Sequence, residues 1–299
     1  MSILVVGTVA LDTVQTPFGK GNNVLGGSAT FSAVSASFFN KVKLVSIAGV
    51  DFPKKYIRFL QSRGIDLKGL QISKGKTFRW SGRYTYDLNC AQTLCTKLNL
   101  LAEFSPSLPA SYKNEKSIFL ANIDPEVQLA VLRQLNNPKL VVCDTMNYWI
   151  EHKRKSLIRV IRKSDILVLN DSEARQLSQQ SNLIKAAKYL LCLGPRLVII
   201  KRGEYGCLLI SRTFSFCIPA YLLEEVSDPT GAGDSFAGGF LGYLSSCPKI
   251  CESAFKKAVG YGTVMASYVV EDFSLNRLRK LKKVDIRSRF KDFQRLTRF

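Results

Sequence analysis

From residue 117 onward, short apolar runs alternate with helical patterns, and this alternation constrains the fold more than any other feature. Such an order is typical of parallel strands joined by right-handed helical crossovers. The first forty residues repeat the theme with the strand ILVVG, a loop, and a helix from about Ser28 to Phe39. The sequence therefore predicts an α/β fold with a mostly parallel central sheet flanked by helices. The later strands are predicted at SIFLA, KLVVCD, DILVLN, RLVIIK, GCLLI and FSFCI, with helices at EHKRKSLIRVIRK and near 232–246 and 252–268.

The interval 76–105 breaks this rhythm. Its segment KTFRWSGRYTYDL is rich in aromatic and β-branched residues and has a turn signal at Ser81-Gly82. These features predict an antiparallel excursion from the main sheet, which we interpret as a small β lid. Three side chains of this lid either close over a substrate or belong to a solvent-facing strand: Arg79, Arg83 and Tyr84.

The chain carries a net charge of +20 over 299 residues. An excess of this size can attract nucleic acid, anionic membrane or acidic small molecules. Part of it is local, because residues 277–299 hold ten Lys and Arg against two Asp. Ile286, Phe290 and Phe293 recur there at spacings of four and three, which predicts an amphipathic helix with a basic outer face. No DNA- or RNA-binding motif accompanies it, so we expect a solvated face and no nucleic-acid partner.

Length, cysteine usage and the N-terminal sequence indicate the size class and the compartment. A chain with 46% hydrophobic residues at this length suits one α/β domain or two smaller units. The eight cysteines include no C-x-x-C pair and His152 is the only histidine, which argues against structural zinc. The N-terminus lacks the features of a signal peptide, and no run approaches about 18 apolar residues. We therefore expect a cytoplasmic protein in a reducing compartment, without a membrane partner.

Polar residues follow several of the predicted strands. Because open α/β sheets bind ligands beyond the carboxyl ends of their strands, these positions are candidates for a site. Each residue alone could be a cap or a turn residue, but their recurrence at equivalent strand ends favours a site. They are Asp12, Gly26, Gly27, Asn122, Asp124, Asp144, Asn147, Asn170 and Glu173.

The stretch DPTGAGDSFAGGF, residues 228–240, places Asp234 directly after Gly-Ala-Gly and before a predicted helix. A carboxylate at this position either caps the helix or takes part in chemistry. Gly231, Ala232 and Gly233 lack bulky side chains, so their N–H groups are open to an anion at the positive end of the helix dipole. A carboxylate beside a phosphate-binding turn is what an enzyme needs to move a phosphoryl group onto a hydroxyl.

Two common nucleotide-binding signatures do not fit. GLQISKGKT contains Gly-Lys-Thr, but five residues separate Gly69 from Gly75, where a P-loop has four, and a strand is predicted after it. We interpret Lys76 as a strand-edge lysine. No G-x-G-x-x-G follows the first strand, so a nicotinamide dinucleotide site is not expected.

Four elements of the sequence resemble the ribokinase family of carbohydrate and nucleoside kinases, also called the phosphofructokinase B family, and they occur in family order. DPTGAGDSFAGGF is similar to its C-terminal signature and VLGGSATFSAVSA to its diglycine signature. LNDSEA matches its Asn-x-x-Glu element, and KRGEYGC matches its Lys-x-Gly-x-x-Gly turn. The chain departs from the family at Phe31, where many of its sugar kinases have asparagine, and at Pro229, where threonine is common.

The resemblance implies one kinase domain over 1–299, with a Rossmann-like central sheet, a small β lid and a role for each matching residue. Asp234 would be the general base, and the N–H groups of Gly231, Ala232 and Gly233 would form the anion hole. Asn170 and Glu173 would order Mg²⁺ through its waters. The nucleotide would contact Lys201, Gly203, Gly206 and Thr230; the acceptor would contact Asp12, Gly26, Gly27, Asn122 and Asp144; and Asp228 would hold a monovalent cation such as K⁺.

The function that follows is an ATP-dependent kinase that phosphorylates a hydroxyl of a small sugar or related carbohydrate. Two alternatives stay open: a nucleoside kinase of the same family, and a non-catalytic relative that binds nucleic acid through its basic surface. Asp234, the anion-hole residues and the Asn170/Glu173 pair favour catalysis. The resemblance also suggests a homodimer through the lid.

Overall fold

The computed structural model describes residues 2–298, so Met1 and Phe299, the two ends of the predicted 1–299 domain, lie outside the described residues. The strands of the described part are β1 (Ser2–Val6), β2 (Ala10–Thr16), β3 (Gly19–Gly26), β4 (Lys41–Gly49), β5 (Ile65–Ser73), β6 (Phe78–Arg83), β7 (Gln92–Lys97), β8 (Ser117–Leu120), β9 (Leu140–Asp144), β10 (Ile166–Asn170), β11 (Leu197–Lys201), β12 (Cys207–Ser211) and β13 (Ser215–Ile218).

The helices lie mostly between these strands. They are α1 (Ser28–Ala36), α2 (Lys54–Ser62), α3 (Pro125–Gln134), α4 (Asn147–His152), α5 (Arg154–Ile161), α6 (Asp171–Ser178), α7 (Leu183–Cys192), α8 (Ala232–Leu244), α9 (Glu252–Val269), α10 (Asn276–Lys280) and α11 (Lys283–Leu296).

Nine strands form the central sheet, in the order β13-β12-β11-β10-β9-β8-β1-β4-β5. All neighbours pair in parallel except β12, which is antiparallel to both β11 and β13. The middle strands are apolar along their length because helices cover both faces of a parallel sheet. The predicted mostly parallel sheet is therefore confirmed.

The two faces of the sheet support two separate cores. Successive strand residues point to opposite faces, so Ile3 and Val5 belong to one core and Leu4 and Val6 to the other. Helices α1, α2, α8, α9 and α11 cover the first core, and α3, α5, α6 and α7 cover the second. The parallel strands β9, β10 and β11 are neighbours in the sheet, so their carboxyl ends lie side by side.

A second sheet of four strands, in the order β3-β2-β6-β7, lies outside this frame. The interval 76–105 supplies β6 and β7, which pair antiparallel as expected. The predicted turn at Ser81-Gly82 is wrong, because both residues lie within β6 and only a register shift marks them. The other two strands come from Ala10–Gly26, which the sequence analysis assigned to a loop.

Three helix predictions need smaller corrections. The first helix ends at Ala36 rather than Phe39. The helix predicted over EHKRKSLIRVIRK is two helices, α4 and α5, which meet at Lys153, where φ is −133°. The C-terminal segment forms α10 and α11, and Ile286, Phe290 and Phe293 are buried as predicted.

No helix between residues 2 and 298 combines the length and the apolar character needed to cross a bilayer.

Candidate active site

The N-terminal turn of α8 forms the centre of the candidate site. Gly231 is the N-cap residue, with φ 80°, and no side chain caps the helix. The N–H of Ala232 is used within the turn, where it donates to the carbonyl of Pro229 at 3.1 Å. The N–H groups of Gly231 and Gly233 meet no acceptor within residues 2–298, so they remain available to a ligand at the positive end of the helix.

Asp234 is the third residue of α8, and its carboxylate receives no hydrogen bond from residues 2–298. It is therefore not the cap of this helix. Burial and the nearby Asp144 carboxylate raise its pKa to about 7, against the opposing effect of Lys201. A carboxylate that titrates near neutral pH is well suited to accept a proton from an alcohol.

Phe31 packs against Gly231 in the N-terminal turn of α8. A β-carbon on Gly231 would lie 2.5 Å from the Phe31 ring, which is buried. The positive φ of Gly231 and this contact together leave room only for glycine. The side chain at the position of the family's sugar-kinase asparagine thus packs against residues 231–233, the predicted anion-binding turn.

Lys201 and Asp144 form a buried ion pair at the ends of β11 and β9. The Lys201 Nζ donates to Asp144 Oδ2 at 3.0 Å, with the two side chains 17% and 4% exposed. The other carboxylate oxygen, Oδ1, accepts from the N–H of Thr145 at 2.8 Å. Asp144, predicted to bind substrate, is thus engaged by Lys201 and the backbone.

Asn170 and Glu173 form a capping box at the start of α6. The Asn170 side chain accepts from the N–H of Glu173, and Glu173 Oε2 accepts from the N–H of Asn170, each at 2.8 Å. The pKa of Glu173 is raised to about 7, chiefly by burial and against the opposing effect of Lys201. Glu173 Oε1 receives no hydrogen bond from residues 2–298, so one oxygen remains available to a ligand.

The donor set around Glu173 bears on the predicted metal. Among residues 2–298 no group of three or more His, Cys, Asp or Glu side chains is arranged to cage a metal ion. Mg²⁺ usually keeps several waters and binds through one or two carboxylates together with substrate phosphates. A single available carboxylate oxygen beside a turn that is predicted to bind phosphate fits such an ion.

Asp12 lies in β2, on the lid sheet, and is buried. Its Oδ1 has no hydrogen-bond partner within residues 2–298. Its pKa is raised to about 7, chiefly by burial and also by Asp228 and Asp234, against the opposing effect of the Gly27 N–H. A buried oxygen without a partner is costly unless a ligand satisfies it. Asp12 is therefore a ready acceptor for a substrate hydroxyl.

Gly26 and Gly27 lie where Asp12 and the start of α1 come close to the backbone. A β-carbon on Gly26 would lie 1.8 Å from Asp12 Oδ2. Gly27 has φ 95°, and a β-carbon there would lie 2.4 Å from the Thr8 carbonyl oxygen. Neighbouring protein atoms thus leave no room for a side chain at either position.

Asn122 was also predicted to bind substrate, but both polar atoms of its side chain contact other residues of the protein. Its Oδ1 accepts from Trp149 Nε1 at 2.8 Å, and its Nδ2 donates to Met146 Sδ at 3.2 Å. The structure thus places Asn122 in contact with α4 and the residue before it.

The turn after β11 carries Gly203 and Gly206. Gly203 has φ 56°, and a β-carbon on it would lie 1.9 Å from Asn89 Oδ1, so the loop between β6 and β7 rests on this turn. Asn89 Nδ2 also donates to Glu204 Oε1 at 3.2 Å. Gly206 has φ 80° and leaves no room for a β-carbon beside the Ile218 carbonyl. The turn predicted to face the nucleotide is therefore in contact with the lid.

The lid also meets the loop before α8. Thr230 Oγ1 donates to the Tyr84 hydroxyl at 3.3 Å, and the Thr230 N–H donates to Asp228 Oδ1 at 2.9 Å. Asp228 Oδ2 accepts from the Ser274 N–H at 3.3 Å. Asp228, the predicted cation ligand, thus has both oxygens bound to the backbone.

Of the three lid side chains predicted either to close over a substrate or to face solvent, Tyr84 reaches the loop before α8. Arg79 instead pairs with Asp51 at 2.9 Å, and Arg83 is exposed. Asp51 Oδ1 also accepts from the N–H and Oγ1 of Thr77, at 2.7 and 2.6 Å, where the chain enters the lid. Sequence reasoning missed this junction, although Asp51 follows β4 just as the other candidates follow their strands.

The profile of the pfkB family carbohydrate kinases matches residues 3–279. The chain belongs to this family. A curated relative, the cytidine kinase of Thermococcus kodakarensis, is 34% identical over 258 residues, which cover 83% of this chain and 90% of the relative. The chain is therefore a phosphotransferase with an alcohol group as acceptor.

Two solved structures show the same fold. The nucleoside kinase of Methanocaldococcus jannaschii, described as an archaeal member of the ribokinase family, superposes with a TM-score of 0.77 at 21% identity, covering 97% of this chain and 98% of that one. The nucleoside kinase of Burkholderia thailandensis, in complex with inosine, superposes with a TM-score of 0.77 at 17% identity, covering 97% of each chain. The ribokinase-like fold is therefore confirmed.

Proposed function

We propose that this PfkB kinase phosphorylates a nucleoside, with ATP as donor and Mg²⁺ as the required metal. The sequence alone predicts a sugar as the first candidate acceptor and a nucleoside as the alternative. The cytidine kinase at 34% identity supports the second alternative. The structural observation that carries the proposal is the pairing of Asp12 with Trp80 on the lid sheet.

Asp12 and Trp80 are register partners in the parallel strands β2 and β6. Paired residues on neighbouring strands project from the same face of a sheet. Trp80 is half-buried, a β-carbon on Gly82 would lie 2.2 Å from its ring, and its Nε1 donates to Thr93 Oγ1 at 3.2 Å. A nucleoside presents a sugar diol and an aromatic base, which match a carboxylate and an indole on one face.

Asp234 removes the proton from the acceptor hydroxyl in this proposal. The alcohol oxygen then forms its bond to the γ-phosphorus while the bond to the β,γ-bridging oxygen breaks, leaving ADP. The open N–H groups of Gly231 and Gly233 stabilise charge on the transferring group. Mg²⁺, held with the phosphates near Asn170 and Glu173, would neutralise phosphate charge. Asp12 fixes the acceptor by accepting from its hydroxyls.

Three finer predictions stay predictions beside this proposal. They are a K⁺ site at Asp228, nucleotide contacts at Gly203, Gly206 and Thr230, and a homodimer through the lid. The Asp228 contacts with Thr230 and Ser274 already account for its two oxygens, so K⁺ dependence needs its own assay.

The test is a comparison of acceptors. ADP release with Mg²⁺ and ATP is measured for cytidine, uridine, inosine and adenosine against ribose, deoxyribose and fructose. We expect kcat/KM for at least one nucleoside to exceed that of every free sugar by about 10²-fold or more, roughly 2.7 kcal/mol. Equal or faster turnover of a free sugar would contradict the nucleoside proposal and favour a sugar kinase.

A lid variant shows whether the base contact exists. Trp80→Ala should raise the nucleoside KM about tenfold, because stacking on an aromatic ring contributes about 1–3 kcal/mol per base. The KM for a free sugar should not change. Tyr86→Ala is the matched control, because Tyr86 is a lid aromatic that is 85% exposed.

A further inference from the structure

Lys201 lies beside the anion-binding turn as well as beside Asp144. A β-carbon built on Gly233 would be 2.9 Å from the Lys201 Nζ. The Gly233 N–H is one of the two open donors of the turn, so the ammonium lies beside the residue that carries this donor. A phosphoryl group bound at the turn would therefore meet a full positive charge.

The surroundings of Lys201 are acidic. The carboxylates of Asp144, Glu173 and Asp234 all act on its ammonium, and Lys201 in turn lowers the pKa of Glu173 and Asp234. One buried ammonium thus interacts electrostatically with three carboxylates. In a site of low dielectric such a charge acts more strongly than in water.

Asp144 holds the ammonium in place. Its Oδ2 accepts from Lys201 Nζ and its Oδ1 accepts from the Thr145 N–H, so the carboxylate is fixed on both sides. The pair joins the ends of β9 and β11, which β10 separates. An ammonium has three donors, and the only hydrogen bond it makes within residues 2–298 is to Asp144. Two donors therefore remain for a ligand.

We propose that Lys201 is a catalytic residue that contacts the transferring phosphoryl group, and that Asp144 is its positioning residue. The geometry assigns Asp144 a task other than the substrate contact expected from the sequence. The proposal rests on the kinase reaction and not on the nucleoside acceptor, so it is tested with whichever alcohol shows turnover.

Lys201→Met is the first variant. We expect kcat to fall about 10²-fold or more, the loss typical of removing one donor to transition-state charge. The Kd of ADP should stay within about threefold, since the contact is made to the transferring group. Affinity for ADP with aluminium fluoride, which mimics that group, should fall with kcat. A large rise in the Kd of ATP with kcat retained would make Lys201 a ground-state nucleotide contact and overturn the proposal.

Asp144→Asn tests the positioning role. It keeps the size of the side chain but weakens the hold on the ammonium. We expect kcat to fall about tenfold with the ATP KM unchanged, a split that marks an interaction made in the transition state. An unchanged kcat would remove Asp144 from the mechanism.

The double variant Lys201→Met/Asp144→Asn separates catalysis from stability. Removing one partner of a buried pair leaves an uncompensated charge, whereas removing both relieves it. The double variant should therefore recover much of the Tm lost in Lys201→Met, but not its kcat. Recovery of kcat together with Tm would show that Lys201 only neutralises Asp144. If Lys201→Met alone does not fold, the double variant carries the comparison.

A second ion pair provides the matched control. Lys43 contacts Glu115 at 2.7 Å, with the side chains 19% and 12% exposed. Lys43 lies near the start of β4 and Glu115 precedes β8, so the pair is at the amino ends of these strands and not at the carboxyl ends that form the site. Lys43→Met should lower Tm without changing kcat or the affinity for ADP with aluminium fluoride. A comparable loss of kcat in this control would show that the Lys201 effect is a general loss of stability.

Discussion

The Asp12 carboxylate occupies the space that a side chain at Gly26 would need, with Oδ2 only 1.8 Å from the position of a β-carbon there. Gly26→Ala should therefore displace Asp12. We expect the acceptor KM to rise about tenfold or more, because a site loses strongly when a buried hydrogen-bond partner is removed. The ATP KM should stay unchanged in steady-state assays.

Gly21→Ala is the control for this substitution. Gly21 lies on the same strand, and a β-carbon there would be 3.3 Å from its nearest neighbour, the Phe273 ring. That contact requires only a small shift. A rise in acceptor KM of similar size in Gly21→Ala would mean that any change in β3 disturbs the lid, and the Asp12 contact would lose its support.

Asp12 also predicts a dependence of stability on pH. Its pKa is about 7 in the folded protein, against an ordinary value of 3.8. The folded state thus holds a proton that the unfolded state has lost between about pH 4 and 7, so this group makes stability fall as pH rises through that window. Three pH units at about 1.36 kcal/mol each give a cost of up to about 4 kcal/mol. Asp12→Asn should raise Tm at pH 8 and leave it nearly unchanged at pH 4, as measured by calorimetry. A Tm difference that is the same at both pH values would contradict the raised pKa.

Glu173→Gln tests the metal proposal. Glutamine keeps an oxygen that can accept from the Asn170 N–H, so the capping box and the fold should survive. The lost charge should raise the Mg²⁺ concentration at half-maximal rate and slow turnover about tenfold. A magnesium titration of the rate provides the measurement. Unchanged magnesium dependence would leave Glu173 with the capping role alone.

Asn182→Ala is the matched helix-cap control. The Asn182 side chain accepts from the N–H groups of Ile184 and Lys185 at the start of α7, away from the candidate site. It should cost about 1 kcal/mol of stability without altering magnesium dependence.

The parts of the fold that sequence could predict are those with strong local patterns. Buried strands such as β9 and β10 are apolar runs, and the motif around Asp234 is a continuous stretch of sequence. Strand β3 of the four-stranded sheet was not predicted, because its segment Gly19–Gly26 is rich in glycine and polar residues and lacks the alternation of a strand. Its pairing with β2, and of β2 with β6, is a tertiary relationship that no short window contains.

The candidate site shows the same limit. The residues near the anion-binding turn were found from strand ends and motifs, but their partners were not. Lys201 and Asp144 are 57 positions apart, and Gly231 meets Phe31 across 200 positions. Only the packing of distant strands and helices makes Asp144 a partner of Lys201 rather than an open ligand group.

Asp234→Asn decides whether Asp234 is the general base. The structure shows no backbone N–H that donates a capping hydrogen bond to this carboxylate, so the substitution should leave folding and nucleotide affinity intact. We expect kcat to fall about 10²-fold or more, or roughly 2.7 kcal/mol of transition-state stabilisation.

The pH profile adds an independent readout for the same residue. With a pKa of about 7, the parent enzyme should gain rate as pH rises toward 7 and level off above it, because the carboxylate must be ionised to accept the proton. Asp234→Asn should lose this rise and show a flat residual rate, since asparagine does not titrate. A variant that binds ATP normally, turns over within about threefold of the parent and keeps the parent pH profile would assign proton removal to another group. The N-terminal turn of α8 would then serve phosphate binding alone.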